Sequence, residues 1–222
     1  MYTFSEKSLS YQNQLKTFMN DYIYPNEEFY SKQLTNAQNR FSPLPLVDEL
    51  KAKAQEQELW NLFVPPALSE FCNHDGLTNF EYAPLAEIMG RVLWSPEIFN
   101  CNAPDTGNME VFMKYGSPEH QEKWLKPLLA GEIRSSYAMT EPQVASSDAT
   151  NVELNIQRDG DSWLLNGRKW FITGAMYERT KIFIVMGKSD PENSNRHLQQ
   201  SQILVPKDTP GLHIIRPLST LG

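Results

Sequence analysis

Val152-Glu153-Leu154-Asn155-Ile156-Gln157 marks where this chain stops reading as helix and starts reading as sheet. Val152, Leu154 and Ile156 alternate with Glu153, Asn155 and Gln157, the period of two that sends successive side chains to opposite faces of a half-buried strand. Asp159-Gly160-Asp161 supplies a turn, Trp163 and Leu165 resume the alternation, and Asn166-Gly167 turns the chain again. Further strands are expected over Lys169 to Thr173, Lys181 to Met186, Gln202 to Val205 and Leu212 to Ile215, with the polar stretch Ser189 to Ser201 as a surface loop.

Upstream, the period is 3.6. Tyr11, Leu15, Phe18, Met19 and Tyr22 share one helical face, and Pro25 is expected to end that helix. Leu46, Val47, Leu50 and Ala54 form a second stripe. Thr78 and Glu81 have capping-box spacing, followed by a buried face of Tyr82, Leu85, Ala86, Met89, Val92 and Leu93. A fourth helix is expected from about Thr106 to Tyr115, stopping at Gly116. Ser117-Pro118-Glu119 then restarts the chain as N-cap, first helical position and acidic first turn; Trp124, Leu125, Leu128 and Leu129 face the core, with Pro127 as a kink. The change of period near Glu132 implies an α+β chain: an all-α helical domain over residues 1–131, then an antiparallel β-domain over 132–222.

Bulk properties exclude several classes. With 40% hydrophobic and 21% charged residues, the 222-residue chain reads as an ordinary globular protein. A formal charge of -7 argues against nonspecific nucleic-acid binding. Two cysteines, Cys72 and Cys101, make no disulfide framework and suit a reducing, cytoplasmic compartment. No apolar run approaches the roughly 20 residues that span a bilayer, and Met1 to Lys7 lacks a secretory pattern. There is no GxGxxG or P-loop fingerprint, no nucleophile elbow around Ser146 and Ser147, and no zinc spacing among His74, His120, His197, His213 and the cysteines. No protein-bound metal is expected.

Two stretches remain as carriers of chemistry. In Tyr137-Ala138-Met139-Thr140-Glu141-Pro142-Gln143-Val144-Ala145-Ser146-Ser147-Asp148-Ala149-Thr150-Asn151, a strand breaks into a polar loop of small residues. Such a loop offers hydroxyls and backbone N–H groups to an anion, or is simply a turn with local Ser and Asp hydrogen bonds. Asn166-Gly167-Arg168-Lys169-Trp170-Phe171-Ile172-Thr173-Gly174-Ala175 is an aromatic strand ending in a hydroxyl and a glycine, and by itself also reads as a core strand.

Taken in order, the two stretches resemble the acyl-CoA dehydrogenase family. Thr140-Glu141-Pro142 with Ser147-Asp148 is similar to that family's TEPGAGSD signature, and Asn166-Gly167-Arg168-Lys169 with Phe171-Ile172-Thr173 to its NGxKxWIT strand. Tyr115-Gly116-Ser117, Gln121-Glu122-Lys123-Trp124-Leu125 and Leu129-Ala130-Gly131-Glu132 resemble the lead-in to the flavin-binding strand. The wording from Ala138 to Asp148 is closest to the branch of family members ten and eleven. Two departures stand out. Gln143-Val144-Ala145-Ser146 replaces Gly-Ala-Gly and is one residue longer, and Phe171 stands where the family usually has Trp.

The resemblance implies a barrel-like β-domain and FAD as cofactor, with an acyl-CoA thioester dehydrogenated between Cα and Cβ. Carried over, Tyr137, Met139 and Thr140 would edge the flavin pyrimidine ring. Phe171 would pack near the isoalloxazine, Ile172 would be a further cofactor-binding residue, and Thr173 would hydrogen-bond near N5 and O4. Ser146 and Ser147 would contact FAD, Ser147 through a phosphate of FAD or the CoA arm. The catalytic glutamate is expected beyond residue 222, and Glu141 is read as structural. The resemblance also implies a homo-oligomer when complete, with an electron-transfer partner left open. Alternatives are a non-catalytic flavin- or acyl-CoA-binding remnant or partner subunit, and an oxidase or monooxygenase on the same fold. Because Leu221-Gly222 follows strand-like sequence directly, the sheet is expected to be unfinished there. Trp163, Phe171, Ile172, Ile182, Ile184 and the Leu212 strand are expected to share an uncovered apolar face, leaving the isolated chain marginally stable, oligomeric or aggregation-prone and binding FAD weakly or not at all.

Overall fold

In the computed structural model, which describes residues 3–219, Ser5 opens the first helix: its Oγ accepts the Ser8 N–H at 3.1 Å. Helix α1 (Glu6–Phe18) buries Leu15 and Phe18 on its apolar stripe, together with Ser8 and Gln12. The polar pair is satisfied in place, since Ser8 Oγ donates to the Glu81 carbonyl and accepts from Gln12 Nε2. Pro25 does not end this helix. The chain widens into a π-turn over Met19–Ile23, tightens into a 3₁₀ turn over Tyr24–Asn26, and continues as α2 (Glu27–Asn36). Pro25 lies in the first turn of the 3₁₀ segment, where a missing N–H removes little.

Helix α3 (Pro45–Glu56) buries Leu46, Val47, Leu50 and Ala54 as the stripe requires. Helix α4 (Asn79–Met89) carries the full capping box, with Thr78 Oγ1 accepting Glu81 N–H and the Glu81 carboxylate accepting Thr78 N–H. Its buried face is Leu85, Ile88 and Met89. Ala86, one residue on from buried Leu85, turns away from that face and is exposed; Leu93 is 98% exposed because the helix stops at Met89 and the turn at Gly90 takes it out of phase. A short α5 (Ser95–Ile98) precedes α6 (Asp105–Tyr115), which ends at Gly116. Ser117 caps α7 (Pro118–His120); a π-turn over Gln121–Leu125 leads into α8 (Lys126–Leu129), with Leu125 and Leu128 buried.

The chain divides into two compact units, Met1–Glu132 and Ile133–Gly222. The second is a curled, mixed half-barrel sheet of β1 (Arg134–Ala138), β2 (Asn155–Asp159), β3 (Ser162–Asn166), β4 (Thr180–Lys188) and β5 (Gln200–Pro206). The α+β architecture agrees with the sequence reading, but the sheet is not wholly antiparallel. β2–β3 and β4–β5 are antiparallel pairs, whereas β4 runs parallel to β1 and, at Asn155 opposite Lys188, to β2. The loop and hairpin between Ala138 and Thr180 form a crossover that brings β4 back in from the same end as β1.

Two expected strands are absent from the ladder. Lys169 to Thr173 is irregular: Phe171 has φ 52° and Gly174 φ 79°, which reverse the chain. Leu212 and Ile214 do point into the sheet core while His213 and Ile215 are exposed, yet the segment pairs with no described strand. The single apolar face also resolves differently. Ile172 packs against the core cluster to which Phe183 and Val185 belong, whereas Ile182 and Ile184 alternate with those two along β4 and are fully buried. Trp163 and Phe171 are about half exposed, at 46% and 48%. Leu221 and Gly222, on which the expectation of an unfinished sheet rests, lie outside the described residues, as do Met1 and Tyr2.

Leu154 is the packing hub of this sheet. A Cβ at Gly187 would lie 2.5 Å from Leu154 Cδ2, 2.7 Å from Leu154 O and 2.9 Å from Ile156 Cγ1. Because one of those atoms is backbone, side-chain rotation cannot relieve the overlap, and Gly187→Ala should cost about 1–3 kcal/mol. Chemical denaturation checks this: the midpoint should fall with the slope unchanged, and an unshifted midpoint would show slack that the packing does not suggest.

Candidate functional site

The loop leaving β1 frames an open cleft of about 390 Å³, lined by Met139 through Ser147 and by Trp170. What holds the loop is Glu141. Its side chain is buried, and its carboxylate accepts the Glu153 N–H at 2.7 Å, the Leu154 N–H at 2.9 Å and the Lys169 ammonium at 2.7 Å. Burial alone would raise the Glu141 pKa. The Lys169 ammonium and the two backbone N–H groups outweigh it and hold the carboxyl below the ordinary glutamate range. Burial likewise pulls Lys169 down from the ordinary lysine range, against the pull of the carboxylate.

Glu141 is thus committed on every side and is in no position to remove a substrate proton. Its own N–H donates to Ser146 Oγ at 2.8 Å, which closes the loop into a tight ring. Beyond it, Asp148 Oδ1 accepts both the N–H and the hydroxyl of Thr150, at 2.9 and 2.7 Å. These bonds hold the exposed Asp148 carboxyl below its usual range, with Arg196 3.7 Å away.

The sequence-derived site residues separate into two groups. Met139, Thr140, Ser146 and Ser147 all line the cleft. Ser146 is buried and already serves Glu141, while Thr140 and Ser147 are exposed. Tyr137, Phe171, Ile172 and Thr173 lie outside the lining. Tyr137 is half-buried on β1, and its hydroxyl accepts from Gln202 Nε2 at 3.0 Å. Burial pushes its phenol up, and the Gln202 bond opposes this. Ile172 belongs to the sheet core. Thr173 exposes its side chain while its carbonyl accepts from Ser136 Oγ at 2.9 Å. Phe171 stands beside the cleft, its ring 4.9 Å from that of Trp170 at 62°.

Two residues were missed by sequence reasoning. Trp170 is the aromatic side chain of the cleft wall, and Lys169 beside it is the cation paired with Glu141. A lysine one residue before an aromatic pair, with a glutamate in the preceding loop, was the available signal. It was hidden because Lys169 to Thr173 was read as a regular strand, whereas the run is irregular.

The lining combines hydrogen-bond donors with an aromatic face. Among the described residues, the N–H groups of Gln143, Val144, Ala145 and Ser147 find no acceptor in the protein. With the Thr140 and Ser147 hydroxyls they form a donor-rich rim of the kind that holds phosphate oxygens, and Trp170 supplies an apolar face. Among the described residues there is no group of three His, Cys, Asp or Glu side chains able to hold a metal ion, and no helix long and apolar enough to cross a membrane.

Comparison with known proteins gives this cleft a context. The chain is 49% identical over 210 residues to acyl-CoA dehydrogenase family member 10 of Mus musculus, matching 94% of its own length and 20% of that protein. A solved structure from Mycobacterium abscessus, described as an acyl-CoA dehydrogenase, superposes with a TM-score of 0.88 at 44% identity, over 98% of this chain and 54% of that one. A glutaryl-CoA dehydrogenase from Mycobacterium smegmatis, solved in complex with FADH2, shares the fold at TM-score 0.66 and 21% identity, over 97% of this chain and 50% of its own. The chain therefore spans between a fifth and about half the length of these relatives. The model of the acyl-CoA dehydrogenase N-terminal domain matches residues 5–132 and that of the middle domain residues 136–222, and with both matched in order this chain belongs to the acyl-CoA dehydrogenase family.

Proposed function

We propose that this chain carries one wall of the flavin site of an FAD-dependent enzyme that dehydrogenates an acyl-CoA thioester between Cα and Cβ. The observation that carries the reading is the cleft at the end of β1, where exposed hydroxyls, unpaired backbone N–H groups and the Trp170 ring converge on a loop fixed by a buried ion pair. Bound FAD would supply the hydride acceptor. The chain's own part is to bind and orient. Thr140 and the 143–147 loop would hold polar edges and phosphates, Ser147 would serve FAD or the CoA arm, and Trp170 with Phe171 would keep water from the ring. Tyr137, Ile172 and Thr173 complete the proposed wall. Glu141, held by Lys169 and two backbone N–H groups, is read as structural, and the base is proposed to lie outside these 222 residues. The whole protein is proposed to be a homo-oligomer acting in the cytoplasm, and fatty-acid metabolism is the setting that an acyl-CoA substrate implies.

Anaerobic flavin spectroscopy tests this. In the full-length polypeptide containing this chain, loaded with FAD, some member of a panel of straight and branched acyl-CoA thioesters of varied length should bleach the oxidised-flavin absorbance. A protein that takes up FAD and is bleached by none of them would be a flavin carrier rather than a dehydrogenase.

A further inference from the structure

We infer that the Lys169–Glu141 pair is the positioning device of the cleft: it sets Thr140 and Trp170 in register with each other without itself touching the ligand. The inference deepens the proposed flavin site and names a role for two residues that the cleft lining alone does not assign.

The argument is one of connectivity. Three segments far apart in sequence must agree for the cleft to exist: the exit of β1, the start of β2 and the irregular run after β3. Residues 139–141 are gripped by residues 169 and 170 through three bonds. Lys169 Nζ donates to the Met139 carbonyl at 2.8 Å and to Glu141 Oε1 at 2.7 Å, and Trp170 N–H donates to the Thr140 carbonyl at 3.0 Å. The same carboxylate receives the Glu153 and Leu154 N–H groups, which ties the assembly to the start of β2. Thr140 thus sits between two residues held by one ammonium, and Trp170 is the next residue along from that ammonium.

The geometry also shows why a charged pair does this work. Phe171, with φ 52°, lies in the left-handed region, which side-chain-bearing residues enter at a cost, and the run from 167 to 173 has no ladder partner. Without a strong local tether, nothing in a sheet would keep Trp170 facing the cleft. A neutral hydrogen bond would leave more freedom; two donors from one buried ammonium onto a carbonyl and a carboxylate fix position and direction together. Lys169 and Glu141 are 8% and 4% exposed, so the pair is not a surface bridge weakened by solvent.

The test separates position from stability. The variant Glu141→Gln/Lys169→Met removes both charges at nearly constant volume and should remain folded; Ile182→Ala opens a cavity on the face of β4 opposite Phe183 and Val185 and leaves the pair and its backbone partners Glu153 and Leu154 in place. Amide hydrogen exchange on the ligand-free protein is the first measurement. In the double variant the Trp170 N–H should exchange at least tenfold faster relative to the β4 amides. In Ile182→Ala, Trp170 should change only in step with β4. Equal relative protection of Trp170 in wild type and the double variant would overturn the inference, whatever FAD does. The second measurement is FAD affinity by titration in the full-length polypeptide. The double variant should lose at least tenfold and Ile182→Ala less than twofold, and parallel losses in the two would also overturn it. If wild type shows no affinity for FAD, the flavin reading fails while the exchange experiment still decides the device.

Discussion

Replacing Lys169 alone with methionine should lower stability by about 3–5 kcal/mol, because it leaves the Glu141 carboxylate buried and uncompensated. That is a large share of the roughly 5–15 kcal/mol that holds a typical domain together. Glu141→Gln alone should be similarly costly, since it strands the ammonium. The double replacement should recover much of the loss, as neutral side chains of similar volume often replace a buried pair at little cost. Denaturant titrations of the four proteins form the check; additive losses would mean that the pair is not coupled. The pH dependence follows from the same bonds. The folded Glu141 pKa lies below its ordinary value, so this stabilisation is complete above the ordinary glutamate pKa and is lost as pH falls through the folded value. Lys169→Met should therefore flatten the acid limb of the stability curve.

The second large effect is expected in the helical unit. Gly76 has φ 73°, and a Cβ there would lie 2.4 Å from Pro66 N, 2.5 Å from Pro66 Cα and 2.6 Å from the Pro65 carbonyl carbon. All three are backbone atoms, so the main chain itself would have to move. Doing so would disturb the Gly76 N–H bond to His74 Nδ1, the Lys7 bond to the Gly76 carbonyl and the Leu77 N–H bond to Val64 O. Left-handed strain and overpacking together make Gly76→Ala cost about 2–5 kcal/mol. Calorimetry should show a lowered Tm; an unchanged Tm would mean that the 65–77 segment shifts freely.

What the sequence made legible is what short-range chemistry determines. The capping box at Thr78 and Glu81, the stop at Gly116 and the restart at Ser117-Pro118 depend only on neighbouring residues, and each is found in place. The helix-to-sheet change was legible because it is a change of period. Strand direction was not: whether β4 runs along or against β1 depends on where a 41-residue connection delivers it, which no alternation encodes. Alternation also over-assigns strands. Leu212 and Ile214 do face a core, but facing a core requires no ladder partner. The candidate loop could be read from its hydroxyls and Pro142. The wall opposite it could not, because Lys169 and Trp170 take their roles from a long-range bond to Glu141 rather than from their own neighbours. Pro25 shows the converse: a strong local breaker tolerated because it falls in the first turn of a new segment.

The central claim is that the flavin lies against the β1-exit loop and Trp170. Amide chemical-shift mapping of this 222-residue chain, titrated with millimolar FAD so that even weak contact registers, tests it most directly. The account predicts shifts concentrated at Met139 to Ser147 and at Trp170 to Thr173, with the β2–β3 hairpin turn at Gly160 and the helical unit unmoved. A map in which those loop and Trp170 amides stay still while others move would contradict it.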